Sequence, residues 1–446
     1  MMIHRPRRAV NGGSYGVPRG RPWPRQTRDA LPDADQVSPS PGVLYGRRVR
    51  YLDHNATTPL DPRVRDVVIA VLGDDRLQAN PSSVHGPGQQ VRAVIERARR
   101  AVAGAAGAAA LEITFTSGGS EANNLAILGA ARALRAAGRA AGLLTTAIEH
   151  PAVLACAQAL EREGHVWVRL GVDGDGRVDL GELAGLLRIH PEIGLVSLAA
   201  ANHELGNTYD IAAAVRAVRE SAPQALVHSD AVQAFGKIPV DLHAWDLDLM
   251  SLSAHKIYGP KGIGALVHRR GLGLAPVLYG GPQERGRRPG SEAVALIAGF
   301  GVAAELAVRE REARQLHTRG LVDRLREGLK RMPGVTIHGD CERHMGTTVN
   351  AGFTGCDGQL LLINLDLAGF AVSTGAACAS GSLEPSPVLL ALGLSPAAAR
   401  SALRISVGKD TRPGDVEALL DTLPELLDRV RGAQLAGADW RQLEVS

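Results

Sequence analysis

The stretch DLDLMSLSAHKIYGPKG, residues 246–262, joins an apolar run to a lysine and a glycine-rich turn. The run has the character of a buried strand and ends in the hydroxyl of Ser253, the imidazole of His255 and the amine of Lys256. A lysine in a turn is usually a solvated surface charge. Lys256, however, follows a strand-like run that also delivers a hydroxyl and an imidazole. A chemical role for Lys256 is therefore an alternative to a solvated surface charge.

A second strand pattern, LVHSDAVQAFGKIPVD at residues 226–241, delivers an acid, Asp230, and three residues later an amide, Gln233. An acid at one strand end and a lysine at a later one is the arrangement that a pyridoxal phosphate enzyme needs. The carboxylate keeps the pyridine nitrogen protonated so that the ring can withdraw electrons, and the lysine binds the cofactor aldehyde as a Schiff base. The pair therefore predicts a pyridoxal phosphate site, provided that the chain also supplies a phosphate cradle.

The phosphate cradle is expected in TSGGSEANN, residues 116–124. A predicted strand ends before Gly119, and a helix is expected to begin at about Ser120. Backbone N–H groups and the helix dipole at such a start attract a phosphate. A glycine-rich turn alone is weak evidence, but together with the donors Ser253 and His255 it predicts a phosphate site.

Two further polar residues follow predicted strands, His150 in AIEHPAV and Asn202 in LAAANHELGN. His150 could stack on a cofactor ring, and Asn202, like Gln233, could donate to the cofactor's phenolic oxygen. A histidine before a helix is more often a cap or a packed residue. On these residues alone, the structural and the functional interpretations both stay open.

The chain has 446 residues, of which 45% are hydrophobic and 22% charged, as in a soluble globular protein of two domains. No apolar run approaches the ~18–20 residues of a membrane span, so no membrane association is expected. The four cysteines, Cys156, Cys341, Cys356 and Cys378, are too scattered for a disulfide framework and form no C-x-x-C metal-binding pair. We therefore expect a cytoplasmic protein without a resident metal.

The net charge of +4 is concentrated at the N-terminus, where residues 1–50 hold ten Arg and no Lys against three Asp. Residues 1–45 are rich in Arg, Pro and Gly and show no helical or strand periodicity, so they are predicted to be a disordered basic extension. A nucleic-acid arm and a transit peptide are alternatives, although the prolines argue against the amphipathic helix of a transit peptide. No specific nucleic-acid partner is expected.

From Tyr51 to about residue 300, short apolar strands alternate with Ala-, Leu- and Arg-rich helices. This alternation predicts an α/β fold, with a mostly parallel sheet covered by helices and a site at the carboxyl ends of the strands. After residue 300 the pattern changes to a long charged helix, two strands and two more helices. We therefore predict a large cofactor-binding domain at 46–300 and a smaller α+β domain at 301–446.

Seven segments, in order, resemble the cysteine desulfurases, the pyridoxal phosphate enzymes of the class V aminotransferase group that draw sulfur from L-cysteine. The segments are YLDHNATTPLDPRV, NPSSVHGPG, TFTSGGSEANNLAI, EHPAVL, DLMSLSAHKIYGPKGIGAL, GGPQERGRRPGSEAV and STGAACASGSLEPS. The resemblance runs from about residue 50 to about 430. It implies the pyridoxal phosphate transferase type I fold and a homodimer.

The resemblance also implies a role for each matching residue around the cofactor. Lys256 would hold the aldehyde, Asp230 would pair with the pyridine nitrogen, and His150 would stack on the ring and assist proton transfer. The contacts to the phenolic oxygen would come from Asn202 and Gln233, and those to the phosphate from Gly119, Ser120, Ser253 and His255, with Ser291 reaching in from the second subunit. Ser120 and Ser291 stand where threonine is usual in the family, which keeps the hydroxyl.

For the substrate, the resemblance implies that Arg404, helped by Asn80, grips the carboxylate of L-cysteine and that Cys378 is the nucleophile that becomes a persulfide. Between Ser373 and Ser386 nearly every residue is small, so this loop can move at low cost. The ASGSLEPS run after the cysteine resembles the branch with a long cysteine loop, which serves iron–sulfur cluster assembly and nitrogenase maturation. Cys378 could transiently ligate such a cluster. The sulfur acceptor stays open among an iron–sulfur scaffold, a transfer-RNA thiolation enzyme and the nitrogenase pathway.

Two other interpretations stay open. The chain could be another class V enzyme, such as a small-molecule aminotransferase or a selenocysteine lyase, although Cys378 in its loop favours sulfur transfer. It could also be a non-catalytic scaffold that keeps only the fold. The presence of Lys256, Asp230 and Cys378 argues against that second possibility.

Overall fold

The computed structural model describes residues 43–44, 47–375 and 384–443, with side chains at 49–375 and 384–432. Residues 1–42 and 45 of the predicted basic extension, 1–45, and the predicted nucleophile Cys378 lie outside these ranges. In the described ranges, no helix combines the length and the apolar character that a membrane crossing requires.

The elements follow the predicted alternation. The strands are β1 (Val43–Leu44), β2 (Arg47–Arg48), β3 (Arg50–Tyr51), β4 (Ile113–Thr116), β5 (Gly142–Thr146), β6 (Trp167–Leu170), β7 (Ile193–Ala199), β8 (Leu226–Asp230), β9 (Leu249–Ser253), β10 (Gly264–His268), β11 (Val335–His338), β12 (Thr348–Phe353), β13 (Phe370–Ala371) and β14 (Ala402–Ser406). The α-helices are α1 (Pro62–Gly73), α2 (Gly86–Ala105), α3 (Gly119–Ala136), α4 (Pro151–Arg162), α5 (Leu180–Ile189), α6 (Ile211–Ser221), α7 (Val294–Lys330), α8 (Gly358–Leu367), α9 (Pro387–Ala391), α10 (Pro396–Arg400) and α11 (Pro413–Leu443).

The central sheet has seven strands in the order β4-β10-β9-β8-β7-β5-β6. Its strands pair in parallel except for β10, which is antiparallel to both of its neighbours. β7 is buried along almost its whole length, as expected for an inner strand with helices on both faces. The predicted α/β fold with a mostly parallel sheet is therefore confirmed.

A second, antiparallel sheet has the order β11-β12-β14. Alternation along β12 sends Val349, Ala351 and Phe353 into an apolar cluster with α7 and α11, while Thr348 and Asn350 face the opposite side. The sequence predicted two helices after the first two of these strands. The described residues form four helices there, α8 to α11, and two strands that the prediction missed, β13 and β14.

The first residues of the described chain pack against its C-terminal part, before the chain contributes its first strand to the central sheet. β3 pairs in parallel with β13, and Leu52 belongs to the apolar cluster of the second sheet. The next residues then run to the lysine turn, where Thr58 N–H donates to the carbonyl of His255 at 2.9 Å. In addition, α7 runs without interruption across the predicted domain boundary at residues 300 and 301. The division into domains stays a prediction.

A buried ion pair ties the segment before α7 to the phosphate-turn strand. Arg99 on α2 donates to both carboxylate oxygens of Glu284 at 2.7 and 2.8 Å, and the two side chains are 5% and 3% exposed. Glu284 also accepts the backbone N–H of Phe115 on β4 at 3.0 Å. Removal of either partner would leave the other charge buried and unpaired.

Replacement of Arg99 by methionine is therefore expected to lower the free energy of unfolding by about 3–5 kcal/mol, because the Glu284 carboxylate stays buried without its cation. The measurement is denaturant unfolding of the Arg99→Met variant. Arg132→Met is the matched control, since Arg132 pairs with Glu163 while both side chains are more than a third exposed. That exposed pair should contribute no more than about 1 kcal/mol. Equal losses for the two variants would contradict this account.

Candidate active site

Lys256 ends a 3-10 turn, Ala254–Lys256, directly after β9. Its ammonium donates to the backbone carbonyl of Asn55 at 2.5 Å and to that of Ala56 at 2.8 Å. The lysine of the opening stretch is therefore directed inward, and the segment after β3 holds it. This position differs from that of a solvated surface charge.

Asn55 joins the lysine turn to the two sheets. Its carbonyl accepts from Gln233 Nε2 at 2.9 Å as well as from Lys256. Its amide nitrogen donates to Thr348 Oγ1 on β12 at 2.8 Å, and its backbone N–H donates to Ser406 Oγ on β14 at 2.9 Å. One buried asparagine thus links the end of the central sheet to the second sheet.

Asp230 is the last residue of β8, the parallel neighbour of β9. One carboxylate oxygen accepts from Asn123 Nδ2 of α3 at 2.7 Å, and the other accepts the backbone N–H of Val232 at 3.0 Å. These two hydrogen bonds fix the orientation of a buried carboxylate. The acid and the lysine therefore follow the carboxyl ends of two strands, as the sequence predicted, and the structure shows that these strands are adjacent.

The predicted phosphate turn packs against the lysine strand. A Cβ atom built on Gly119, the first residue of α3, would lie 2.6 Å from Val232 Cγ2 and 3.6 Å from Ser253 Cβ, so any larger residue would require Val232 to move. Ser253 is fully buried, and its hydroxyl has no hydrogen-bond partner among the described residues. Ser120, the next residue of α3, is exposed.

The side chains of His255 and His150 are both partly buried. Burial, with Lys256 and Lys261 nearby, lowers the pKa of His255 to about 4, and its Nδ1 lies 3.1 Å from Thr57 Oγ1. Burial also lowers the pKa of His150. Burial therefore favours the neutral form of both imidazoles.

His150 is also the N-cap of α4. Its Nδ1 accepts the backbone N–H of Ala152 at 3.1 Å, so the neutral ring carries its proton on Nε2. Its ring centroid lies 5.2 Å from that of His203. The capping role that the sequence left as an alternative is therefore present, and it does not exclude contact with a ligand.

Both the nitrogen and the oxygen of the Asn202 side-chain amide form hydrogen bonds with the backbone. Nδ2 donates to the carbonyl of Ile148 at 2.9 Å, and Oδ1 accepts the backbone N–H groups of Glu204 and Leu205. One hydrogen on Nδ2 remains for another acceptor. The residue therefore shapes the turn after β7 as well as offering a donor.

Arg404 lies on β14 and is 2% exposed. Its guanidinium donates to Asp53 Oδ1 at 2.8 Å and to the carbonyl of His203 at 3.1 Å. Its Nε has no partner among the described residues. An oriented, buried guanidinium with unused donor capacity suits a carboxylate ligand.

Three predicted residues are not joined to this cluster. Asn80 lies on an exposed turn, where its Oδ1 accepts the N–H of Ser82 at 2.8 Å. Ser291 lies on the exposed segment before α7. No hydrogen bond within the described ranges links either residue to the cluster, and Cys378 lies outside those ranges.

The structure adds residues to which the sequence assigned no role. Asn55 and Asp53 stand in the quoted motif YLDHNATT, and Asn123 stands in TSGGSEANN, so the segments were found but not these contacts. Lys237 stands in QAFGKIP, and its ammonium donates to Gln233 Oε1 at 2.8 Å. Glu149 precedes His150 and is buried, and burial raises its pKa to about 8. A polar residue inside a motif is the signal that could have found the first three.

The arrangement fits pyridoxal phosphate. The unpartnered hydroxyl of Ser253 and the tight approach at Gly119 form a cradle at the N-terminus of α3, where backbone N–H groups suit a phosphate. Asp230 lies beside this cradle as an oriented carboxylate, and Lys256 is the nearby amine. The amine, the carboxylate and the phosphate cradle that the cofactor requires therefore lie together at the carboxyl ends of strands of the central sheet.

Known proteins that are similar to this chain over most of its length agree on one family. The model of the family described as aminotransferase class-V matches residues 50–419. A cysteine desulfurase of Trichormus azollae is 40% identical over 384 residues, which are 86% of this chain and 94% of that protein. The cysteine desulfurase IscS of Dictyoglomus turgidum is 39% identical over 89% of this chain and 98% of its own length.

A solved structure of a NifS-like protein superposes with a TM-score of 0.79 at 34% identity, covering 85% of this chain and 99% of that one. A NifS-like protein from Rickettsia africae gives a TM-score of 0.77 at 32% identity, with coverage of 85% and 100%. The family match, the fold and the sequence identity agree. The chain therefore belongs to the aminotransferase class-V family and groups there with the cysteine desulfurases.

Proposed function

We propose that this protein is a cysteine desulfurase, which converts L-cysteine to L-alanine and passes the sulfur to an acceptor. The observation that carries the proposal is the adjacency of two strand ends, since Asp230 ends β8 and Lys256 follows its parallel neighbour β9. α/β proteins with open sheets bind their ligands at the carboxyl ends of the strands. The cysteine desulfurases that are 40% identical to the chain support sulfur chemistry over transamination.

Pyridoxal phosphate, when bound, supplies an electron-withdrawing ring that stabilises negative charge on the substrate carbon. Lys256 would hold its aldehyde, and Asp230 would pair with the pyridine nitrogen. The phenolic oxygen would accept from Asn202 and Gln233, and the phosphate would be held by Gly119, Ser120, Ser253 and His255. His150 would stack on the ring and assist proton transfer through its Nε2 side.

The sulfur step needs a thiolate that can reach the substrate. The Cys378 thiolate would form a bond with the substrate sulfur while the bond from that sulfur to Cβ breaks. The carbon side keeps the electron pair and takes up a proton, which gives alanine, and the sulfur stays on Cys378 as a persulfide. A later thiol acceptor would receive it, so no external oxidant is required.

Arg404 would bind the substrate carboxylate, with help from Asn80. Asp53 supports this role because it fixes the guanidinium from one side at 2.8 Å. The preformed orientation lowers the entropy that the arginine loses when the substrate binds.

The active unit would be a homodimer in which Ser291 contacts the phosphate of the neighbouring subunit, since Ser291 lies on an exposed segment of its own chain. The acceptor would be a sulfur-carrying protein such as an iron–sulfur scaffold, and the cytoplasm would be the compartment. These assignments rest on the family resemblance.

Borohydride reduction of the purified yellow protein should leave a pyridoxyl group on Lys256. Lys256→Ala should lose this covalent link, while Lys261→Ala, a change at a neighbouring exposed lysine, should keep it. Peptide mass spectrometry gives the position, and light scattering of the same sample should give the mass of two chains. A pyridoxyl group on Lys237 or on no lysine would refute the assignment.

Replacement of Cys378 by serine should keep the cofactor colour and the binding of cysteine but abolish alanine release, because no thiolate remains to take the sulfur. Mass spectrometry after brief exposure to cysteine without reductant should find one added sulfur on the peptide with Cys378. Cys341→Ser, a change at an exposed cysteine, is the control and should retain activity. Full desulfurase activity in Cys378→Ser would exclude the proposed step.

Replacement of Arg404 by lysine should raise the KM for cysteine at least about tenfold, since a charge-assisted, bidentate contact worth ~1.5–3 kcal/mol is lost. Steady-state alanine production measures the change. Arg400→Lys, on the exposed end of α10, is the matched control and should leave KM unchanged. Unchanged kinetics in Arg404→Lys would show that another residue binds the substrate carboxylate.

A further inference from the structure

Lys237 places a second ammonium beside Lys256. It follows β8, is partly buried and lines a small cavity together with Lys256, Tyr258 and Lys409. Within the described part of the chain, no carboxylate lies at ion-pair distance from it. Burial, with Lys256 and Arg404 nearby, lowers its pKa to about 7. Burial of a charged ammonium costs free energy, and the hydrogen bonds that the ammonium makes must offset this cost.

The hydrogen bonds of Lys237 are made to two amide oxygens. Its ammonium donates to Gln233 Oε1 at 2.8 Å and lies 3.5 Å from Asn55 Oδ1. Each amide therefore turns its oxygen toward the lysine, as suits an ammonium group, which has three donors and no acceptor. The amide nitrogens of Gln233 and Asn55 therefore point away from Lys237.

The two amide nitrogens then meet the acceptors of the site. Asn55 Nδ2 donates to Thr348 Oγ1 and to the carbonyl of His203. Gln233 Nε2 donates to the carbonyl of Asn55, the same oxygen that accepts from Lys256. Gln233 thus offers only donors on the side that it shares with Lys256, and one of its two N–H groups remains for another acceptor.

We propose that Lys237 is a positioning residue that locks the Gln233 amide in the orientation in which its nitrogen, and not its oxygen, faces the phenolic oxygen of the cofactor. This inference rests on the proposed function, because it takes pyridoxal phosphate as the ligand. The adjacent positive charge also polarises the amide and strengthens its N–H as a donor. Without Lys237 the amide can turn over and present its oxygen to another oxygen, which repels.

The test is the affinity of the apoprotein for pyridoxal phosphate, measured by equilibrium titration of absorbance. Lys237→Met should weaken binding about tenfold, since the amide loses its fixed orientation and its polarising charge. Lys237→Arg should restore most of the affinity because it returns a cation. Lys409→Met is the matched control: Lys409 lines the same cavity but pairs with Asp61 and Asp410, and its loss should change affinity less than twofold.

A double-mutant cycle separates positioning from a general effect on the fold. In a Gln233→Leu background there is no amide to orient, so addition of Lys237→Met should have almost no further effect on cofactor affinity. The absorption maximum of the bound cofactor should shift in Lys237→Met and return in Lys237→Arg. Thermal unfolding of the apoproteins checks that each variant is folded.

The outcomes distinguish this inference from the proposed function. A wild-type protein that binds no pyridoxal phosphate would overturn both. Normal wild-type binding with unchanged affinity in Lys237→Met would overturn only the role of Lys237. An equal loss of affinity from Lys237→Met with and without Gln233 would also overturn it, because the lysine would then act without the amide.

Discussion

The carbonyl oxygen of Asn55 accepts hydrogen bonds from both Lys256 and Gln233, and the site depends on the short segment that carries this oxygen. The segment leaves β3, which pairs with β13, and reaches the end of the central sheet within a few residues. A buried carbonyl needs a donor, and a buried ammonium needs acceptors. The lysine turn and the segment therefore satisfy each other, and neither is well placed without the other.

The same segment also orients the proposed substrate group. Asp53 holds Arg404 on β14, while Asn55 is bonded to Thr348 on β12. The distance between the lysine and the guanidinium is therefore set by three consecutive residues instead of by two independently packed domains. Such connected polar networks restrict the geometry more strongly than isolated contacts do. A substrate that must touch both groups meets them already oriented.

The charges of the site suit anionic ligands. Burial lowers the pKa of Lys237, and the nearby positive charges of Lys256 and Arg404 lower it further. A phosphate, a phenolic oxygen and a substrate carboxylate each bring negative charge to such a region. The cofactor and the substrate that we propose therefore compensate a cluster of cations that the protein maintains at some cost.

The sequence by itself determined the α/β class, the strand ends that bear Asp230 and Lys256, and the turn at Gly119, because these depend on local periodicity and on residues next to each strand. It missed β14 and the contacts of Asn55 and Lys237. Those contacts join residues that are far apart in the chain, and no local pattern encodes which distant amide an ammonium will meet. Only the tertiary structure, by packing the segment after β3 between the two sheets, decided how the predicted residues are oriented.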